Sequence, residues 1–273
     1  MKKTTIILLF LTSSIFAQEV KIMTYNIKYH GVRETKNRWV DRKQNVIQLL
    51  NHYEASFIGL QESLLGQVQY VDRYLKDYEY IGVGRDDGRT RGEYSPLFYD
   101  TKKYALLDSK TIWLSETPGK PSKGWDAALN RVCTYGLFRN LKTNKKIWVF
   151  NTHFDHIGRN AKKNSVNLLL NVIKGVNSEN YPVVLMGDFN LTPDEEPIQL
   201  ISESLNDGKA VSLKPFYGPV GTFNSFRNEE IKTRIDYIFT KNIQVLNYEH
   251  VDDRLPNNKH VSDHLPVLAR LKF

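Results

Sequence analysis

The chain has 273 residues, with 38 Lys plus Arg against 30 Asp plus Glu, a formal net charge of +8, 41% hydrophobic and 25% charged residues. That balance belongs to a globular chain and argues against disordered or low-complexity classes. A single cysteine, Cys133, excludes an intrachain disulfide, so stability rests on packing.

The first 17 residues read as an export leader. Lys2-Lys3 precede the apolar run Ile6 to Leu11, which gives way to Thr12-Ser13-Ser14 and Ile15-Phe16-Ala17. The apolar stretch is too short for a permanent anchor, so cleavage near Ala17 and a periplasmic or secreted mature chain are expected. No second hydrophobic segment follows, and the remainder, 18–273, is expected to be one domain that acts as a monomer without inserting into a membrane. Setting the leader aside leaves 36 basic against 30 acidic residues, spread along the chain as Lys36, Lys102-Lys103, Lys145-Lys146 and Lys162-Lys163 show. Such scatter describes a solvated surface more than a track for a polyanion.

In chain order, the hydrophobic patterning predicts a strand over Val20 to Asn26, then a helix over Arg38 to His52 with Trp39, Val46, Ile47 and Leu50 on one face. A strand over Ser56 to Gln61, a short helix over Gln67 to Leu75, and strands over Glu79 to Val83, Ser95 to Tyr99 and Thr111 to Leu114 follow. Next come strands over Val132 to Phe138 and Ile147 to His153, and a helix over Ala161 to Val176 carrying Val166, Leu169, Leu170 and Ile173. The last predicted elements are strands over Val183 to Met186, Arg234 to Phe239, Val245 to Val251 and Leu265 to Leu271, with a short helix over Glu196 to Ser204. Cys133 sits in an apolar strand and reads as a buried, inert thiol. Many strands flanked by a few helices predict two packed sheets covered by helices, an α/β layered sandwich.

Several predicted strands finish in polar clusters that a core would reject. Asn26 follows Met23-Thr24-Tyr25, Gln61-Glu62 follow Ile58-Gly59-Leu60, and Asn151-Thr152-His153 follow Trp148-Val149-Phe150. Gly187-Asp188-Phe189-Asn190 and Ser262-Asp263-His264 complete the set. Polar groups on rigid strand ends are where sites are built. Asn26, Glu62, Asp188, Asn190 and Asp263 are hard oxygen donors, suited to magnesium or manganese, whereas zinc would more often recruit His and Cys. His153 and His264 bring groups that carry charge near neutral pH, and Asp236 in Arg234-Ile235-Asp236-Tyr237 is a candidate to hold one imidazole.

Six segments then carry a resemblance: Tyr25-Asn26-Ile27, Leu60-Gln61-Glu62, Asn151-Thr152-His153-Phe154-Asp155-His156, Gly187-Asp188-Phe189-Asn190, Ile235-Asp236-Tyr237-Ile238-Phe239 and Ser262-Asp263-His264-Leu265-Pro266-Val267. They resemble, in order and over nearly the whole mature chain, the motifs of the endonuclease/exonuclease/phosphatase superfamily with its pancreatic-deoxyribonuclease-like fold. The resemblance implies a four-layered αββα sandwich of two mostly antiparallel sheets, and phosphoester hydrolysis that depends on Mg2+, with Mn2+ as the other fitting ion. It implies Glu62 as principal metal ligand with Asn26 and Asp263, and Asp188 and Asn190 orienting the attacking water or holding a second metal. His264 paired with Asp236 would act as base or stabilise the phosphoryl group, His153 would stabilise its oxygens or the leaving group, and Glu93 would orient His153.

Other segments look like a bacterial subfamily that includes sugar-phosphate phosphatases: Gly82-Val83-Gly84-Arg85-Asp86-Asp87-Gly88, Trp113-Leu114-Ser115-Glu116-Thr117-Pro118, and Lys123-Gly124-Trp125-Asp126-Ala127-Ala128 with Arg131. Arg85 and Arg131 are candidates to grip a phosphate, Trp125 to stack on a sugar or base, and Asn151 and Asp155 to contact substrate. The expected activity is hydrolysis of a small phosphorylated compound such as a sugar phosphate. The alternatives are a secreted nuclease on DNA or RNA and a non-catalytic binding protein. No hairpin of adjacent aromatics suggests a lipid-surface enzyme.

Overall fold

The computed structural model describes residues 19–31 and 34–273, so the predicted leader lies outside the described residues. Its strands are β1 (Glu19–Asn26), β2 (Phe57–Gln61), β3 (Tyr78–Ile81), β4 (Leu97–Asp100), β5 (Tyr104–Trp113), β6 (Val132–Asn140), β7 (Lys146–His153), β8 (Val183–Asp188), β9 (Asn206–Asp207), β10 (Asp236–Lys241), β11 (Gln244–His250) and β12 (Val267–Lys272). The helices are α1 (Trp39–Tyr53), α2 (Leu65–Tyr74), α3 (Arg159–Val176) and α4 (Glu196–Ser202). Two six-stranded sheets form, in the orders β11-β12-β1-β2-β4-β3 and β5-β6-β7-β8-β10-β9. Each is antiparallel except for one central parallel pair, β1 with β2 and β7 with β8.

The period-two alternation of the strands decides the layering. In β1, Val20 and Ile22 face the other sheet while Met23 and Tyr25 face α1 and α2. In β7, Ile147 and Val149 meet the other sheet while Trp148 and Phe150 join the face covered by α3 and α4. Both faces of these strands are buried, which is why the sequence shows continuous apolar runs there. The result is the αββα sandwich that the sequence predicts. Among the described residues, no helix is long and apolar enough to cross a membrane.

Where the two sheets face each other, one polar knot interrupts the apolar filling. Asn151 is buried; its Nδ2 donates to the carbonyls of Leu60 (2.9 Å) and Pro96 (2.8 Å), and its Oδ1 accepts from Gln61 Nε2 at 2.6 Å. Gly59 makes room for it, since a Cβ there would lie 2.5 Å from Asn151 Oδ1. Asn151 therefore joins sheet to sheet and, fully buried and outside the cleft lining, does not meet a substrate, contrary to its sequence-based role.

β5 runs longer than Thr111 to Leu114 because its first half is an edge strand, bulged between Leu106 and Asp108, with exposed polar residues through Lys110. Solvent on both sides erased the alternation on which the prediction depended. The two-residue β9 is likewise too short to leave a pattern.

Candidate active site

The parallel pairs bring polar residues together. Parallel neighbours end on the same side, so Asn26 lies beside Gln61 at the ends of β1 and β2, and His153 beside Asp188 at the ends of β7 and β8. The antiparallel neighbour β10 begins there, placing Asp236 opposite Asp188, and Asp263-His264 enter just before β12. Thr222 Oγ1 accepts from the backbone N–H groups of Ile235 and Asp236, which fixes the start of β10. The turns leaving β1, β2 and β8 are tight: Lys28, Glu62 and Asn190 have φ of 60°, 59° and 49°. A left-handed backbone costs a non-glycine residue about 1–2 kcal/mol and is kept only where the surroundings dictate it.

Across this end of the molecule lies a cleft of about 350 Å³, lined by Glu62, Asp188, Asp263, His153, His264 and Asn190 together with Lys28, Tyr29, Glu93, Leu129, Arg131, His156, Phe223 and Ile235. Asn26 bridges the two sheets, donating from Nδ2 to Glu62 Oε1 (3.1 Å) and Asp188 Oδ2 (3.0 Å), while its Oδ1 accepts from the Lys28 backbone N–H. Asn26 thus orients both carboxylates, one from each sheet. Lys28 Nζ sits 3.6 Å from Glu62 Oε2 and 3.7 Å from Asp263 Oδ2. An ammonium held between two carboxylates occupies the kind of place a hard divalent cation favours, so the donor set fits such an ion. Asp188, Asp236 and His264 also offer ligand atoms within 4.8 Å of one another, and Asp236 Oδ1 is buried without a partner.

The two histidines sit in opposite charge states. His264 Nδ1 pairs with Asp236 Oδ2 at 2.8 Å and its Nε2 lies 3.8 Å from Asp188 Oδ2. Burial pushes this imidazole down, but the carboxylates of Asp236 and Asp188 outweigh it and hold its pKa at about 10, so it is an imidazolium at neutral pH. Burial, assisted by the charges of Arg131, Arg85 and His264, holds His153 well below its ordinary value and neutral. Its Nε2 lies 3.1 Å from Asn190 Nδ2, and Asn190 is fixed by Phe154 O, by Asp188 Oδ1 on its N–H and by Lys162 Nζ on its carbonyl. Burial, reinforced by Asp236, lifts Asp188 to about 7. Burial would raise Glu62 too, yet Lys28, His264 and the Asn26 hydrogen bond bring it below the usual carboxylate range.

The remaining predicted residues fall outside the reacting group. Glu93 lines the cleft but makes a bidentate pair with Arg85 (2.7 and 3.0 Å), so Asn190, not Glu93, holds His153 Nε2. Arg85 is thereby committed to Glu93 and stands behind the cleft wall. Asp155, 2% exposed, accepts backbone N–H groups from Ala128, Leu129, Ile157 and Gly158 and the Arg131 Nε. Those contacts overcome the upward push of burial and hold its pKa at about 2; it anchors loops and does not touch a substrate. Trp125, at φ 47°, is half-buried with its N–H on Glu116, and does not line the cleft. The aromatic surface facing the cleft comes from Tyr29 and Phe223, the latter edge-on to His264 at 5.0 Å. Phe223 gave no local signal in the sequence, whereas Lys28 and Tyr29, so close to Asn26, were within reach of it.

The family model for the Endonuclease/Exonuclease/phosphatase family matches residues 23–264. The structure superposes on a mannosyl-6-phosphatase from Bacteroides thetaiotaomicron with a TM-score of 0.89 and 34% identity, covering 93% of this chain and 100% of that one. An uncharacterised protein of Acanthamoeba polyphaga mimivirus is 25% identical over 91% of this chain and 98% of its own length. The Ccr4 exoribonuclease subunit of the CCR4-Not complex from Mycosarcoma maydis is 26% identical over 57% of this chain, which spans only 30% of that subunit. With the motifs, the two-sheet sandwich and the polar cleft in agreement, the chain belongs to the Endonuclease/Exonuclease/phosphatase family of hydrolytic phosphoesterases.

Proposed function

We propose that the chain is an exported, magnesium-dependent hydrolase of small phosphate esters, with sugar phosphates as the leading substrate class. The observation that carries this reading is the pairing, in one cleft of about 350 Å³, of the Glu62–Asp263 carboxylates with a neutral His153 and a charged His264. That size suits a phosphorylated monosaccharide, and Tyr29 and Phe223 offer ring faces beside it. The similarity to a mannosyl-6-phosphatase supports the same substrate class.

Glu62 and Asp263, the two carboxylates that flank the Lys28 ammonium, would hold the cation. Such an ion, when bound, withdraws charge from a phosphoryl oxygen. Asp188, with its pKa lifted to about 7, is suited to take a proton from the attacking water. His264, held protonated by Asp236 and Asp188, would stabilise charge on the phosphoryl oxygens. Asn190 and neutral His153 position the water and the ester beside Asp188.

The test is phosphate release by the purified chain from mannose 6-phosphate, glucose 6-phosphate, nucleotides and inositol phosphates, with DNA and RNA in parallel. Magnesium, manganese and EDTA arms and a Glu62→Ala control are run together. Phosphate from a small ester, lost with EDTA and in the variant, is the expected result. Degraded nucleic acid with no small-ester turnover overturns the reading in favour of a nuclease.

A further inference from the structure

Two buried arginines stand on the His153 side of the cleft, and their donors are used differently. Arg85, 7% exposed, commits both terminal nitrogens to Glu93 and leaves its Nε, behind the cleft wall, without a partner. Arg131, 4% exposed, gives Nε to Asp155 Oδ1 at 3.3 Å and has Nη2 3.0 Å from His156 Nδ1, but its Nη1 is buried with no partner. Arg131 lines the cleft, and it shares a tighter recess with His153 and Glu93. An ionised N–H kept from water without an acceptor is costly, and of the guanidinium nitrogens left so among the described residues, at Arg85, Arg131 and Arg234, only that of Arg131 belongs to a side chain that lines the cleft. The guanidinium cannot turn aside to escape that cost. Asp155 holds its Nε and at the same time fixes the backbone on both flanks, at Ala128, Leu129, Ile157 and Gly158. Because a guanidinium only donates, His156 Nδ1 is the acceptor in their contact, and its Nε2 carries the ring proton.

We infer that Arg131, through Nη1 and with His156 beside it, holds a non-bridging oxygen that a phosphomonoester has and a phosphodiester lacks, and so selects monoesters. The inference rests on the phosphoesterase reading above and narrows its substrate class. A monoester presents three terminal oxygens and close to two negative charges at neutral pH. The carboxylate side of the cleft, with its cation and His264, serves the oxygens nearest to it. A fixed cationic donor on the other wall is useful when the oxygen arriving there is terminal and charged. In a diester that position carries an ester oxygen and its substituent, which a buried arginine neither binds well nor has room for.

The experiment compares kcat/KM for p-nitrophenyl phosphate and bis(p-nitrophenyl) phosphate in the wild-type chain and in Arg131→Lys. Lysine keeps a positive charge facing Asp155 but lacks Nη1. The expected result is a fall in the monoester-to-diester ratio of about threefold or more, with inhibition by inorganic phosphate weakened in parallel. Equal losses on both esters, or a ratio moved by less than about threefold, assign Arg131 a merely structural role and overturn the inference. Should Arg131→Lys fail to melt cooperatively, the half-exposed His156→Phe is read the same way. A ratio lowered by about threefold or more there supports the clamp, and an unchanged ratio and phosphate inhibition overturn it. A wild-type chain that, with magnesium or manganese, hydrolyses neither these esters nor the sugar phosphates, nucleotides and inositol phosphates above refutes the small-ester reading itself, which separates the two failures.

Discussion

The carboxylate side of the cleft and its arginine side rest on different supports. Glu62, Asp188, Asp236 and His264 sit at or next to strand ends whose register is fixed by ladders on both sides. Leu129 and His156 are placed by the loops around them, and one carboxylate, Asp155, ties those loops to Arg131 at the entry of β6. Reacting groups stand on the stiffer frame, and groups that distinguish substrates stand on the part a sequence can vary without disturbing the sheets.

The sharpest way to break this comparison is at Glu62. Glu62→Gln should lower kcat on the best small ester by about 10³-fold or more, roughly 4 kcal/mol, with little change in melting temperature. A loss below tenfold would place the chemistry elsewhere. The sheet junction should answer in stability instead: Asn151→Ala removes three buried hydrogen bonds, although Pro96 O keeps the Leu60 N–H and Gln61 Nε2 keeps Thr24 Oγ1, and should cost about 2 to 3 kcal/mol by chemical denaturation. The folded fraction should keep most of its turnover, and a stable but inactive Asn151→Ala would restore the substrate role that the geometry denies it.

Acid sensitivity probes a region belonging to neither side. His250 is buried with Nδ1 2.7 Å from Pro219 O, and burial lowers its pKa to about 4. Between that value and the ordinary 6.5 the unfolded chain binds the proton more readily, so stability from this residue falls as pH drops through that window. Wild type should lose about 3 kcal/mol more than His250→Gln between pH 6.5 and 4, measured by urea unfolding at each pH. Identical pH profiles would show that His250 titrates normally. The smallest effect is expected at Trp125, where Trp125→Ala should change kcat/KM by about threefold or less, below about 0.7 kcal/mol. A tenfold loss would bring that ring into the cleft after all.

The same division explains what could be read in advance. The strand-end motifs were legible because an apolar run that stops in Asn, Glu, Asp or His has few structural reasons to do so, and the αββα layering followed from runs buried on both faces. Arg85, Trp125, Asn151 and Asp155 were misread because a side chain's partner is chosen by the tertiary fold. Nothing near Arg85 in the chain distinguishes an arginine that meets phosphate from one that meets Glu93, only eight residues on. The charge states were hidden for a similar reason. His264 and His153 look alike in sequence, and only the arrangement of Asp236 and Asp188 against Arg131 and Arg85 separates them.

The Asn26 bridge has a consequence for how the protein loses activity on heating. Its two hydrogen bonds run from the end of one sheet to carboxylates of both, so the site is a seam whose halves belong to separate sheets. A slip of one residue between the sheets, about 3.3 Å, would part Glu62 from Asp188. Catalytic alignment is thus a gauge of how the two halves of the core are seated. Loss of turnover on warming should coincide with the melting of the sandwich as a whole, with no earlier stage confined to the cleft.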